Sequence, residues 1–319
     1  MRRHRRLHPA VPCRTRRAVA RRAAPGGRRG RHHLVTVPNG RRLAATDDNG
    51  VISAEQWRGA ITAPPIAIAP GRLVVVAPHP DDEVLGLGAT MAARSARKAP
   101  DLFSCRGPGG AFTTTYDPAD VVVCVSDGAA SHPGEVAPEE MRGRRKAECE
   151  AGARELGIDL RMLGLPDGGL AAGAVDAALH PVLDELAPVT VAVTWSGDGH
   201  PDHHVCAESV RRWCRGARAR GRGGNGDAAG DGGGDGDGDV TLLEFPVWMW
   251  HWASPGDADV PWERLRRVAA DDRAFDHKRR ALAAHASQLE PQSSAPDATV
   301  ILPPAVVERF FLGAEWVFA

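Results

Sequence analysis

Leu73-Val-Val-Val-Ala-Pro-His79-Pro80-Asp81-Asp82-Glu83 decides how this chain is read. Its first half is uncharged and β-branched, the pattern of a strand buried on both faces of a parallel sheet. Its second half gathers one histidine and three carboxylates at the strand's carboxyl end, where open α/β sheets hold their ligands. Adjacent negative charges repel, and a bound cation or a proton relieves that cost. The stretch therefore predicts both a parallel α/β fold and a metal site.

Working outward, a second apolar strand covers 121–125 and ends in Ser126-Asp127-Gly128. A short third strand over 160–163 leads into Gly164-Leu-Pro-Asp167-Gly-Gly. A fourth, over 189–195, ends in Ser196-Gly-Asp198-Gly-His200-Pro-Asp202-His203-His204. A fifth starts at Thr241 and runs into Trp248-Met-Trp250-His251-Trp252. Helices are predicted over 84–98, 138–156, 175–186 and 271–288. Pro138 opens the second of these and Gly157 stops it. Gly86 and Gly88 let the first helix pack closely on the sheet, whereas 34–70, broken by Pro64, Pro65 and Pro70, is read as irregular. Alternating strands and helices predict a doubly wound, mostly parallel α/β sheet with helices on both faces, in a single domain over 34–319.

The 319 residues hold 40 basic and 40 acidic side chains, so the whole chain has no electrostatic bias toward nucleic acid or membrane. The arginines crowd into 1–33, read as a disordered leader without an apolar run able to be a signal core or a membrane span. A flexible Gly/Asp-rich insertion is expected at 216–239. Cys13, Cys105, Cys124, Cys149, Cys206 and Cys214 form no C-x-x-C pair and read as reduced thiols of a cytoplasmic protein. Nucleic-acid and membrane partners are not expected, and a homo-oligomer is left open.

The two His/Asp clusters carry the chemistry. Zinc in hydrolases takes three His or carboxylate ligands and leaves a fourth position to water. His79 and Asp82 are three apart, and His200 and His203 repeat that spacing around Asp202. His79, Asp82 and one of the later histidines make a His₂Asp triad. Asp81 is then free as a general base on water activated by the metal. The other histidine, steadied by Asp202 and protonated, can stabilise an oxyanion. Phosphoryl transfer with paired aspartates and magnesium competes, but two histidines favour zinc, with Fe²⁺ suited to the same donors.

These motifs resemble the signatures of the PIG-L/LmbE-like zinc N-deacetylases: Val76-Ala-Pro-His79-Pro-Asp-Asp-Glu83 and, later, His200-Pro-Asp-His203. Arg145-x-x-Glu148 before Leu156-Gly157, and Leu165-Pro-Asp167-Gly168, agree with them. The resemblance spans about 72–290 and implies a Rossmann-like sheet. It implies zinc on His79, Asp82 and His203, Asp81 as base, and His200, oriented by Asp202, as the electrostatic or acid partner. Arg145 and Asp167 match sugar-binding positions. The implied reaction removes an N-acetyl or other N-acyl group from a small amino-sugar conjugate of the N-acetylglucosamine type. An amidase cutting a larger amide of a sugar or thiol conjugate is the alternative, and a non-catalytic polyanion-binding protein a third reading.

Competing roles stand beside these. Glu83 is a favourable first-turn acid of the helix. Arg145, in a charged helix beside Arg142 and Arg144, suits a solvated helix face, and Asp167 a plain turn. His204 reads as a helix-surface histidine. One of Trp248, Trp250 and Trp252 is a candidate wall for a sugar ring. Lys278-x-x-Ala-Leu-x-x-His285-x-Ser-Gln288 resembles a recurring stretch of the family, and its spacing yields no chemistry.

Overall fold

A computed structural model describes residues 34–36, 42–44, 52–98, 119–223, 240–295 and 298–319, all within the unit His32–Ala319. Two short strands, β1 (Leu34–Thr36) and β2 (Arg42–Ala44), pair antiparallel and precede α1 (Ala54–Ala60). Then β3 (Leu73–Ala77), α2 (Asp82–Lys98), β4 (Val121–Ser126), α3 (Pro138–Leu156) and β5 (Asp159–Leu165) alternate. The alternation continues through α4 (Ala172–Leu186), β6 (Thr190–Thr194), α5 (Pro201–Gly223), β7 (Thr241–Phe245) and α6 (Met249–Trp252). The chain closes with β8 (Leu265–Val268), α7 (Asp272–Ala283), α8 (Ala286–Leu289), α9 (Pro304–Val307) and β9 (Glu315–Phe318).

The main sheet has seven strands in the order β5-β4-β3-β6-β7-β9-β8. Strands β3 to β7 run parallel, and β9 is antiparallel to β7 and β8. The chain winds outward from β3 to β5 and then returns to β6 on the other flank of β3. That reversal is the topological switch point, where a crevice opens beyond the strand ends. The period-2 alternation divides β3 between two cores. Leu73, Val75 and Ala77 join a cluster with residues of α2 and α7, and Val74 and Val76 join one with residues of α4 and α5. Helices therefore cover both faces, as expected. Gly86 lets α2 rest on β7, because a Cβ there would stand 2.1 Å from the Phe245 ring.

Several boundaries differ from the sequence reading. The segment 34–70 is not wholly irregular: Ser53 and Gln56 form a reciprocal capping box that starts α1. Helix α5 runs on to Gly223, so 216–223 is helix rather than flexible insertion. Arg220 is tied there to Asp184 at 2.8 Å. The helix expected over 271–288 is two helices, α7 and α8, with buried His285 at the break. The leader at 1–33, the rest of the insertion at 224–239, the loop 105–118, Cys13 and Cys105 lie outside the described residues. Among the described residues no helix is long and apolar enough to cross a membrane.

Candidate metal centre

The switch point brings the turn after β3 against the turn after β6. In the first turn, Asp81 has φ 131, a conformation that costs energy for a residue with a Cβ and that recurs at functional sites. Three groups hold it there. Asp82 Oδ2 accepts the His79 N–H at 3.0 Å, Glu83 Oε2 accepts the Asp81 N–H at 3.1 Å, and Arg145 donates to the Pro80 carbonyl. In the second turn, α5 begins at Pro201, which places Asp202 and His203 in its first turn.

His79 Nδ1 and His203 Nε2 each lie 3.3 Å from Asp82 Oδ2. Ligand atoms on a tetrahedral ion with bonds of about 2.0 Å stand about 3.3 Å apart, so these spacings suit a shared ion. His203 Nε2 is buried and makes no hydrogen bond. Leaving such an atom unpartnered costs about 1–3 kcal/mol, and a metal ion at that point removes the cost. The groups His79/His200/His203 and His79/Asp167/Asp202 also each place one ligand atom within 4.8 Å of one another. The donors present therefore fit a divalent cation.

Charges follow from this crowding. Burial disfavours the Asp82 carboxylate, yet the imidazoles of His203 and His79 outweigh it and hold Asp82 well below the usual range. Burial likewise opposes charge on His203, but Asp82 and Asp198 push it up to about 9. Burial pushes Asp81 up to about 7 against the pull of Arg145. Burial and the charge of Asp81 push Glu83 up to about 8.

Glu83 is thus more than a first-turn acid. Folded, it stays neutral below about 8, whereas its ordinary value is 4.5. The folded chain binds a proton the unfolded chain releases, so this stabilisation is complete below 4.5 and lost as pH rises through about 8. In the metal-free protein, the Tm of Glu83→Gln minus that of wild type should rise between about pH 5 and pH 9. A difference that stays flat across that range would refute the assignment.

Several expected roles change. Arg145 does not lie on a solvated helix face: it is 2% exposed, and its Nη2 stands 3.4 Å from Asp81 Oδ2. Asp167 is more than a turn residue, with Oδ1 3.2 Å from His79 Nε2 and Oδ2 accepting the Ala130 N–H. Asp127 links its loop to that of Asp167 by accepting the Asp167 N–H at 3.2 Å. The Asp202 carboxylate, expected to steady His200, instead accepts the Leu170 N–H at 2.8 Å and faces His79 Nε2 at 3.4 Å. What reaches His200 is the backbone N–H of Asp202, 3.2 Å from Nδ1. Burial, then His203 and His79, push His200 down to about 3, so its imidazole is neutral rather than protonated. A neutral ring accepting at Nδ1 carries its proton on Nε2.

Of the three tryptophans, half-buried Trp248 flanks the site, its ring 5.8 Å from that of His200. Trp250 is core, edge-on to Trp57, and Trp252 donates to the Asp198 carbonyl. His204 is exposed, as expected. Asp198 escaped the sequence reading. Its only signal was an acid in the loop that ends β6, five residues before His203.

Residues 74–214 match the family described as PIG-L: GlcNAc-PI de-N-acetylase. The chain is 29% identical over 145 residues to the probable N-acetyl-alpha-D-glucosaminyl L-malate deacetylase 2 of Bacillus subtilis (strain 168). That match covers 44% of this chain and 59% of the relative, so the chain spans less than two thirds of it. Among solved structures, the A40926 pseudoaglycone deacetylase Dbv21 is similar at a TM-score of 0.51 and 20% identity, over 78% of this chain and 97% of that one. A triple mutant (Orf2*T) of a deacetylase of the teicoplanin pathway is similar at 0.52 and 16%, over 77% and 96%. These two are likenesses of fold.

Proposed function

We propose, from the match of residues 74–214 to the PIG-L family, that this chain is a metal-dependent hydrolase removing the N-acetyl group of an amino-sugar conjugate. The observation that carries this reading is the approach of His79 Nδ1 and His203 Nε2 to Asp82 Oδ2 beside the carboxylate of Asp81. His79, Asp82 and His203 would hold zinc, and Fe²⁺ suits the same donors. When bound, the ion supplies a Lewis acid and lowers the pKa of water from about 16 to near 7.

The protein's own residues do the rest. Asp81, held in its strained turn by Glu83 and Arg145, takes the proton of the attacking water and returns one to the departing amine. His200, its tautomer set by the Asp202 N–H, donates from Nε2 to the oxyanion of the amide carbonyl. Arg145 works on the base and its turn, because its guanidinium is buried against Pro80 and Asp81. Asp167, partly open to solvent, is the polar group offered to the sugar, and Trp248 offers it an aromatic face. The Bacillus relative's name, a glucosaminyl malate deacetylase, supports a small-molecule partner of this class.

The test is acetate release from a panel of N-acetylglucosaminyl conjugates, with metal content measured on the same preparation. Release that a chelator stops and zinc or iron restores is the expected outcome. Bound metal with no release from any amino sugar would reject the substrate class, and a protein that takes up no divalent metal would reject the mechanism.

A further inference from the structure

Asp198 lies outside both sequence motifs and has no exposed surface. Its Oδ1 accepts the backbone N–H of Val247 at 3.0 Å and of Met249 at 2.8 Å. Its Oδ2 accepts the Trp248 N–H at 2.8 Å and stands 2.7 Å from His203 Nδ1. A carboxylate is an acceptor only, so His203 Nδ1 is the donor and carries the ring proton. In the neutral ring that metal ligation requires, the lone pair then sits on Nε2, the atom that faces Asp82 and has no hydrogen bond of its own. The same two oxygens close the turn over 246–249 that sets the Trp248 ring 5.8 Å from His200.

We propose that Asp198 is a positioning residue for the proposed hydrolysis, aiming the His203 lone pair at the metal and tying that ligand to the aromatic wall beside His200. The inference rests on His203 being a ligand. It assigns one buried carboxylate two linked tasks: it orients a metal ligand through the ligand's far nitrogen, and it anchors a stretch of the substrate side. Ligating histidines commonly have such a partner, and losing it weakens metal binding by roughly 10- to 100-fold.

Asp198→Asn makes the test sharp, because an amide cannot accept on both sides. With its NH₂ toward His203 and Trp248, it donates to His203 Nδ1 and forces the proton onto Nε2, which blocks ligation. With its NH₂ toward Val247 and Met249, it loses the turn that carries Trp248. Zinc affinity, measured by competition with a chromophoric chelator, should fall roughly 10- to 100-fold in Asp198→Asn with the far-UV circular dichroism unchanged. His203→Ala separates the two readings. If that variant binds zinc like wild type, the ligand assignment fails. If it loses zinc while Asp198→Asn binds as tightly as wild type, the positioning role fails. Should Asp198→Asn not fold, ¹⁵N spectra of the histidine rings in the metal-free wild type, taken at a pH alkaline enough for the His203 ring to be neutral, decide instead: a proton on Nδ1 with Nε2 bare is expected, and the reverse tautomer overturns the proposal.

Discussion

Asp81→Asn should lower turnover by roughly 10²- to 10⁴-fold, the range a positioned general base contributes, while bound metal and Tm stay close to wild type. The substitution is nearly isosteric, so the turn between β3 and α2 keeps its shape. Asparagine also tolerates positive φ better than most residues, which matters at a position with φ 131. The backbone N–H still donates to Glu83, and Arg145 still has the Pro80 carbonyl to hold. What disappears is the ability to take a proton. Arg145 also loses a charge partner at 3.4 Å, so KM rises modestly, but the main loss belongs in kcat. Metal content separates this account from its rival. If Asp81→Asn loses its metal along with its activity, Asp81 is a ligand and the base must be sought elsewhere. If it keeps both, the base is not Asp81.

The two strands that carry the proposed ligands, β3 and β6, were legible because each is buried on both faces. Such a strand shows itself as an uninterrupted apolar run, as in Leu73–Ala77 and Thr190–Thr194. Polar groups right after those runs marked the strand ends, and the switch point then follows from the order of connections. The outer strands gave no such signal. In β8 two arginines occupy the middle of Leu265–Val268, and β9 owes its place to pairing with strands far away in sequence. Arg145 was hidden by its neighbours: Arg142, Arg144 and Lys146 share its helix and are exposed, and only packing against the turn at Pro80 singles it out. Asp202 misled through adjacency. Two residues after His200 in sequence, its carboxylate is drawn instead to the backbone N–H groups at Gly169 and Leu170, some thirty positions earlier. Asp198 depends on the same kind of distant contact, with the turn at 247–249.

The largest loss of stability should come from Lys278→Ala, at about 3–5 kcal/mol in chemical denaturation, because it strips one partner from a buried ion pair. The pair repairs a defect in α2. Leu87 leaves helical geometry (φ −133, ψ 20), and a regular helix would have given the N–H groups of Ala89 and Thr90 to the carbonyls of Leu85 and Gly86. Here Ala89 and Thr90 donate to the two oxygens of Glu315, at 2.9 and 2.7 Å. Lys278 Nζ takes the Leu85 carbonyl and Glu315 Oε1, both at 2.7 Å. The lysine stem passes over Gly88, whose missing side chain leaves it room, and the ammonium stands 5.4 Å from the Phe311 ring centre. Burial lowers the Lys278 pKa and Glu315 opposes that shift, so each charge depends on the other. Alanine at 278 would strand the Glu315 carboxylate and the Leu85 carbonyl together. Lys278→Met combined with Glu315→Gln should be much less destabilising than the sum of its single changes, by at least about 1 kcal/mol, since the two side chains are in contact. Additive losses, or a loss below about 1 kcal/mol for Lys278→Ala, would mean that water already shares the site and that the pair is not what holds the kink. The kink lies about one turn beyond Asp82, so the same clamp fixes the helix whose first residue is a proposed metal ligand.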